Sequence, residues 1–278
     1  MPPDWKSSNW SPRSYEAWQL LRRLHNLSNV AELFHVHTGA RPGYLPAFVI
    51  DKARWALLPK NEKKYFRPAV VNASINFGQL LDLKYVFYAY GHLKMETETQ
   101  VRREMPEFYS DVLLPNKSKL LKRRSKRTPS RWWEMSEPRE WQHKREPKIV
   151  SVYFGRAGSF AYDETGDFVV VQGFAWLPKL PNKAESVFHP NVALAYLALL
   201  NSPVMDELLS AVSNPVQGGQ WDLSARFVKK IALPNLLDSA GSTIVPALTR
   251  IGSAMVRGDT VDEAVLKDLA STVFGIND

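Results

Sequence analysis

The residues with the most evident chemistry lie in one run, Lys117-Ser-Lys-Leu-Leu-Lys-Arg-Arg-Ser-Lys-Arg-Thr-Pro-Ser-Arg131. It holds Lys117, Lys119, Lys122, Arg123, Arg124, Lys126, Arg127 and Arg131, no acid, and the hydroxyls of Ser118, Ser125, Thr128 and Ser130. Lysine and arginine neutralise phosphates and release condensed counterions, and hydroxyls donate to the same oxygens. Trp132 and Trp133 follow directly, and Arg139, Trp141, His143 and Arg145 continue the mixture. Cations pressed against large aromatics point to a nucleic-acid face that includes Trp132. The bland reading of the same run is a solvated basic loop or a localisation-like signal.

Two loops carry groups suited to base edges. Thr38-Gly-Ala-Arg41-Pro-Gly-Tyr44 and Gln217-Gly-Gly-Gln220-Trp221 combine glycine, which lets backbone approach a ligand, with side chains that can read bases. Arginine pairs with guanine and glutamine with adenine by two hydrogen bonds in the major groove. Ordinary turns have similar composition, so each loop is a weak signal alone.

Signatures of catalysis fail in turn. The chain has no G-x-x-x-x-G-K-S/T phosphate loop, no G-x-G-x-x-G turn, no G-x-S-x-G elbow and no cysteine nucleophile. Phe154-Gly-Arg156-Ala-Gly158 is glycine-rich but lies between two expected strands and opens no helix. His35 and His37, two apart on a strand, would face one side but lack a nearby third metal ligand. Glu146-Pro147-Lys148 is half of an E-x-K nuclease site, with Asp111 far upstream as the nearest preceding aspartate. Pro2-Pro3-Asp4-Trp5 departs from the N/D/S-P-P-Y/F/W motif of amino-methyltransferases at both its polar and its aromatic position.

Length and composition set the frame for these residues. A chain of 278 residues with 45% hydrophobic content can build one large or two modest cores. Absence of cysteine excludes disulfides and thiolate metal sites and fits a reducing, cytoplasmic setting. The N-terminus shows no signal peptide, and the longest apolar run, Val192–Leu200, is nine residues against the roughly 20 of a membrane helix. Net charge is +8 and the pI about 9.5. Between Arg102 and Lys148, 14 Lys/Arg stand against 7 Asp/Glu, a surplus of +7, so nearly all of the excess is concentrated there. Such concentration favours a polyanion-binding surface.

Periodicity supplies the elements. Ser14–Leu27 reads as an amphipathic helix capped by Ser11 or Ser14 with Pro12 near its start. Val30–Val36 and Leu45–Ile50 read as strands around the Thr38–Gly43 turn, and Asp51–Leu58 as a helical turn closed by Pro59. Tyr85–Tyr90 suits a strand, and Thr97–Ser110 and Lys117–Lys126 suit helices. Strands are expected at Lys148–Phe154, Ser159–Tyr162, Phe168–Val171 and Phe174–Leu177, with Asp163–Asp167 as a hairpin turn. Helices follow at Asn191–Leu200 and Pro203–Val212, then a closing strand at Lys229–Pro234. Helices at Thr243–Val256 and Val261–Phe274 end the chain, the last with a Thr260/Glu263 capping box.

These segments, in order, resemble the C-terminal target-recognition region of TaqI-like, gamma-type N6-adenine DNA methyltransferases of restriction-modification systems. The resemblance rests on HTGARPGYLPAFVIDKA (37–53), KYFRPAVVNASI (64–75) and the stretch from RWWE to FAWL (131–177). ALAYLALLNSPVMDELL (193–209), VQGGQWDLSARFVKKIALPN (216–235) and VDEAVLKDLASTVFGI (261–276) complete it, from about Trp18 to Ile276. Val71–Ser74 stands where that family commonly carries basic residues, so no phosphate contact is carried over there.

The resemblance implies a cleft-forming domain that reads sequence while a separate domain, absent here, flips and methylates adenine with S-adenosylmethionine. The expected fold is α+β: a twisted, strand-rich DNA-recognition domain followed by a helical C-terminal part. The expected divisions are an N-terminal helix and linker (1–29), a recognition domain (30–235) and a helical tail (236–278). Phosphates would be held between Lys117 and Arg131, and bases read by Arg41, Arg156, Gln217, Gln220 and Trp221, with Thr38 beside them. The expected partners are double-stranded DNA and a catalytic methyltransferase domain or subunit, with no membrane. Two other readings are a subunit of an active methyltransferase, and a basic nucleic-acid or scaffold protein without sequence preference.

Overall fold

The computed structural model describes residues 15–90, 95–123, 131–179, 190–237 and 243–276. The chain opens with helix α1 (Tyr15–Arg23), whose expected caps Ser11 and Ser14 lie outside the described residues. A single helical turn, α2 (Val30–Leu33), precedes strand β1 (Phe34–Thr38). The strand expected from Val30 is therefore split, because the Asn29 side chain accepts from the Glu32 N–H and starts a helix there. Likewise Pro46 opens a 3₁₀ turn at Leu45–Ala47, and pairing begins only at β2 (Val49–Asp51). Helices α3 (Lys52–Leu57) and α4 (Lys60–Lys63) flank Pro59.

Strand β3 (Phe66–Val70), a hairpin of β4 (Ile75–Asn76) and β5 (Gln79–Leu80), and β6 (Lys84–Phe87) come next. Helix α5 (Glu98–Glu104) starts from a reciprocal Thr97/Gln100 capping box. It leads through α6 (Pro106–Phe108), a π turn at Tyr109–Leu113 and a 3₁₀ turn into α7 (Lys117–Leu121). Strands β7 (Lys148–Ser151), β8 (Phe154–Gly155), β9 (Phe160–Asp163), β10 (Val169–Val170) and β11 (Phe174–Pro178) follow. The C-terminal part holds α8 (Pro190–Leu200), α9 (Pro203–Val212), β12 (Pro215–Val216), β13 (Gln220–Asp222), α10 (Ala225–Val228), α11 (Ile244–Arg257) and α12 (Glu263–Phe274).

The architecture is α+β. Sheet one runs β1-β11-β7-β9, antiparallel throughout, and sheet two runs β10-β3-β6-β2 with β10 parallel to β3. Phe34, Val36, Trp176, Ile149 and Tyr162 line one face of sheet one and share a core with α1, α8, α9, α11 and α12. On the other face Val150, Ala161 and Ala175 meet Val70 and Val170 of sheet two. A second core packs sheet two against α5 to α7 and against Trp132, Trp133 and Met135.

The structure departs from three expectations. Asp163–Asp167 is not a hairpin turn: β9 pairs with β7, while β10 pairs with β3 in the other sheet. Arg67 holds that crossover by donating to the Gly166, Asp167 and Gln142 carbonyls, so a partner about 100 residues away in sequence sets the chain's path. The segment Lys229–Pro234 pairs only through an isolated bridge between Asn29 and Ala232. Finally, α12 is capped by Asp262, whose carboxylate takes the Ala264 and Val265 N–H groups, and not by Thr260.

Helices α8 and α11 pack closely at Gly252, where a β-carbon would stand 2.0 Å from the Leu194 carbonyl oxygen. Gly252→Ala is expected to destabilise the protein by about 2–3 kcal/mol, because backbone must move to admit the methyl. Urea unfolding measures this, and a loss under about 0.5 kcal/mol would show that the helices separate freely.

Candidate nucleic-acid interface

The basic run is anchored by one apolar residue of α7, Leu120, which is buried. Around it the cations divide into those that build the surface and those that remain on it. Lys117 donates to both oxygens of Glu98, at 2.8 and 3.0 Å, and lies over the Trp132 ring. Trp132 is buried, and its indole N–H also donates to Glu98. Arg123 donates to the carbonyls of Pro42, Trp132, Glu134 and Leu120 and lies over Phe48. Trp132 and Arg123, expected at the ligand-facing surface, are held instead by the interior: bare carbonyls and a carboxylate take their polar groups.

Glu98 accepts from Lys117, Tyr109 and Trp132. Burial alone would raise its pKa, but these donors prevail and hold the carboxyl at about 2. A depressed carboxylate stabilises the fold above its unfolded pKa, and that stability is lost as pH falls from about 4.5 toward 2. Glu98→Gln should flatten the decline of the unfolding midpoint across that window. An unchanged acid profile would show that the network contributes nothing there.

Arg123 also explains how a distant loop joins the run. Its bond to Pro42, with Lys119 donating to the Tyr44 hydroxyl at 2.9 Å, ties the Thr38–Tyr44 loop to α7. Backbone bonds exchanged between Arg41 and Glu137 fasten the same loop from the other side. Arg41 remains 59% exposed although 3.6 Å from Glu137, and Arg139 shares that carboxylate. Lys119, Lys122 and Arg131 are exposed, and the Lys122 ammonium has no partner among the described residues. Arg124, Lys126 and Arg127 lie outside the described residues.

The other candidates form a second group. Strands β12, β13 and β8 make a three-stranded sheet in which Trp221 lies opposite Gly155, and Asp222 opposite Phe154. Gln217, Gly218 and Gly219 make the hairpin tip, both glycines with positive φ and with open space where a side chain would stand. Gln217 and Gln220 are exposed, and neither side-chain amide is bonded among the described residues. Arg156 is 60% exposed and paired with Asp206. Trp221 turns away from the outer face and packs partly buried on the main core. The exposed aromatic is Phe154, at 50%. Sequence reading missed it because Ile149 to Phe154 looks uniformly like core; only the pairing with Asp222 shows which way it faces.

Register brings the two groups to one end of sheet one. Thr38, Phe174, Ser151 and Phe160 form a single transverse row. The Thr38–Tyr44 loop leaves from one strand of that row and the segment to Phe154 and Arg156 from another. Two strand spacings separate them, about 10 Å.

Other sequence candidates lie elsewhere. His35 and His37 share the outer face of sheet one, and His37 stacks on Trp141. Both histidines are held below the usual imidazole pKa, by burial first, then by Lys179 and Lys229 at His35 and by His35 and Lys229 at His37. Among the described residues no group of three or more His, Asp or Glu is arranged to hold a metal. Glu146 is exposed whereas Lys148 is buried in an ion pair with Asp163, so the two residues do not converge on one site. No single helix among the described residues is long and apolar enough to cross a membrane.

The fold has a counterpart of known function. The Type IIL restriction-modification enzyme MmeI, solved in complex with DNA, matches with a TM-score of 0.61 at 14% identity. The match covers 90% of this chain and 34% of that enzyme, so the chain spans about a third of its length. No protein-family model matches the chain. No curated protein does either. The shared feature is the fold.

Proposed function

We propose that this chain binds double-stranded DNA as a target-recognition module of a restriction-modification system, with the chemistry on another domain or chain. The observation that carries this reading is that the loop tied to the exposed cations of α7, suited to phosphates, and the segment leading to β8, which pairs with the Gln220 strand, leave the same end of sheet one. Likeness in fold to part of MmeI, an enzyme solved with DNA, supports it. In the finer form of the proposal the partner is an N6-adenine methyltransferase domain or subunit. That partner would bind S-adenosylmethionine and turn out the target base, while this chain holds the duplex in register. The setting would be cytoplasmic.

Selection from a random duplex library at two salt concentrations tests the reading. The expected result is one enriched motif at both concentrations, with affinity falling as salt rises. Salt-sensitive binding without a motif would leave a basic nucleic-acid binder and remove target recognition. The isolated chain should transfer no methyl group from S-adenosylmethionine to the enriched duplex. Transfer by the chain alone would overturn the division of labour.

A further inference from the structure

The outer face of the β12–β13–β8 sheet has a composition unlike the cationic surface near it. Residues opposite each other in a ladder share a face, and residues two apart along a strand do too. Phe154, Asp222 and Gln220 therefore lie on one face, with Val216 opposite Gln220 and the Gln217 tip beyond. Phe154 is 50% exposed, and Gln217 and Gln220 are exposed with unbonded amides among the described residues. The charges around it are matched: Arg156 with Asp206, and Arg226 with Asp222. A locally neutral face is poorly suited to phosphates but well suited to the uncharged floor of a groove. An apolar ring and exposed amides are the groups that discriminate bases there.

Shape agrees with this. A β-ribbon fits the roughly 12 Å width of the major groove. Among the described residues nothing lies within 4 Å of where a side chain would stand at Gly218 and Gly219, so the tip has open space around it. The Thr38–Tyr44 loop, to which α7 is tied, leaves the row two strand spacings, about 10 Å, from the strand that leads to Phe154.

Building on the proposed function, we infer that the β12–β13 hairpin with β8 enters the major groove and reads A·T pairs. Gln220, assisted by Gln217, takes the N6 donor and N7 acceptor of adenine, and Phe154 contacts a thymine 5-methyl group. The recognised sequence therefore contains at least one adenine and one thymine read at these edges.

The experiment uses the full chain and the duplex enriched by selection. Adenines are replaced singly by 7-deaza-adenine, which lacks the N7 acceptor, and thymines by deoxyuridine, which lacks the methyl. One 7-deaza position and one deoxyuridine position are each expected to weaken binding, the former about tenfold. Gln220→Ala should abolish the 7-deaza effect, and Phe154→Ala the deoxyuridine effect, with salt dependence unchanged. Circular dichroism checks that both variants are folded, and the base analogues test the wild-type chain regardless. If a motif is enriched but no analogue at any position weakens binding, the groove assignment falls while target recognition stands. The assignment also falls if analogue effects persist in both variants. If no motif is enriched, both fall.

Discussion

Replacing Lys119, Lys122 and Arg131 together by alanine is expected to lower affinity for duplex DNA by roughly 10²- to 10³-fold near 0.1 M salt. Each neutralised phosphate contributes close to one unit to the slope of log affinity against log salt, so the slope should fall by about 3. These three were chosen because their charges are exposed, unlike that of Arg123, which is bound to four carbonyls. The loss should be nearly equal for the enriched and random duplexes, since phosphate contacts carry no sequence information. An unchanged slope would remove α7 and its flanks from the interface. A loss confined to the enriched duplex would make these residues base readers.

The second large effect concerns stability. Lys148 and Asp163 are buried together at the far end of sheet one, with side chains 4% and 1% exposed. Burial pushes the lysine pKa down, and the facing carboxylate opposes that shift. Asp163 also accepts from the Phe168 N–H and the Thr165 hydroxyl, so it organises the crossover to β10. Asp163→Ala is expected to cost about 3–5 kcal/mol, because it removes the acceptor of a buried ammonium and of the half-buried Phe168 N–H. Adding Lys148→Met should recover part of that loss, since an apolar pair is tolerated where a lone charge is not. Chemical unfolding of both single variants and the double variant measures the coupling, and strictly additive losses would show that the pair is not a unit.

How far each effect was legible differs for a physical reason. The basic run was visible as composition, yet composition does not show which cations are free. Lys117 and Arg123 are consumed by Glu98 and by loop carbonyls that lie far from them in the chain. The loop at Gln217–Gln220 was legible because two adjacent glycines mark a turn locally, whereas the β12–β13 pairing around it was not. That Trp221 packs partly on the main core while Phe154 is exposed was not legible, since outward and inward positions depend on the partner strand. The turn at Asp163–Asp167 carried the composition of a hairpin, but Arg67 steers it into the other sheet.

What the sequence by itself determined was local and periodic. Helices α8, α9, α11 and α12, the loop at Thr38–Gly43 and the concentration of charge before Lys148 all follow from residues a few positions apart. Tertiary structure alone decided what depends on partners through space. It set the bringing together of the Thr38 loop with α7, the burial of Trp132, the exposure of Phe154 and the common row that joins two distant loops. Caps and periodicity act within about four residues, whereas ion pairs and strand register are settled only by which distant segments the two cores bring into contact.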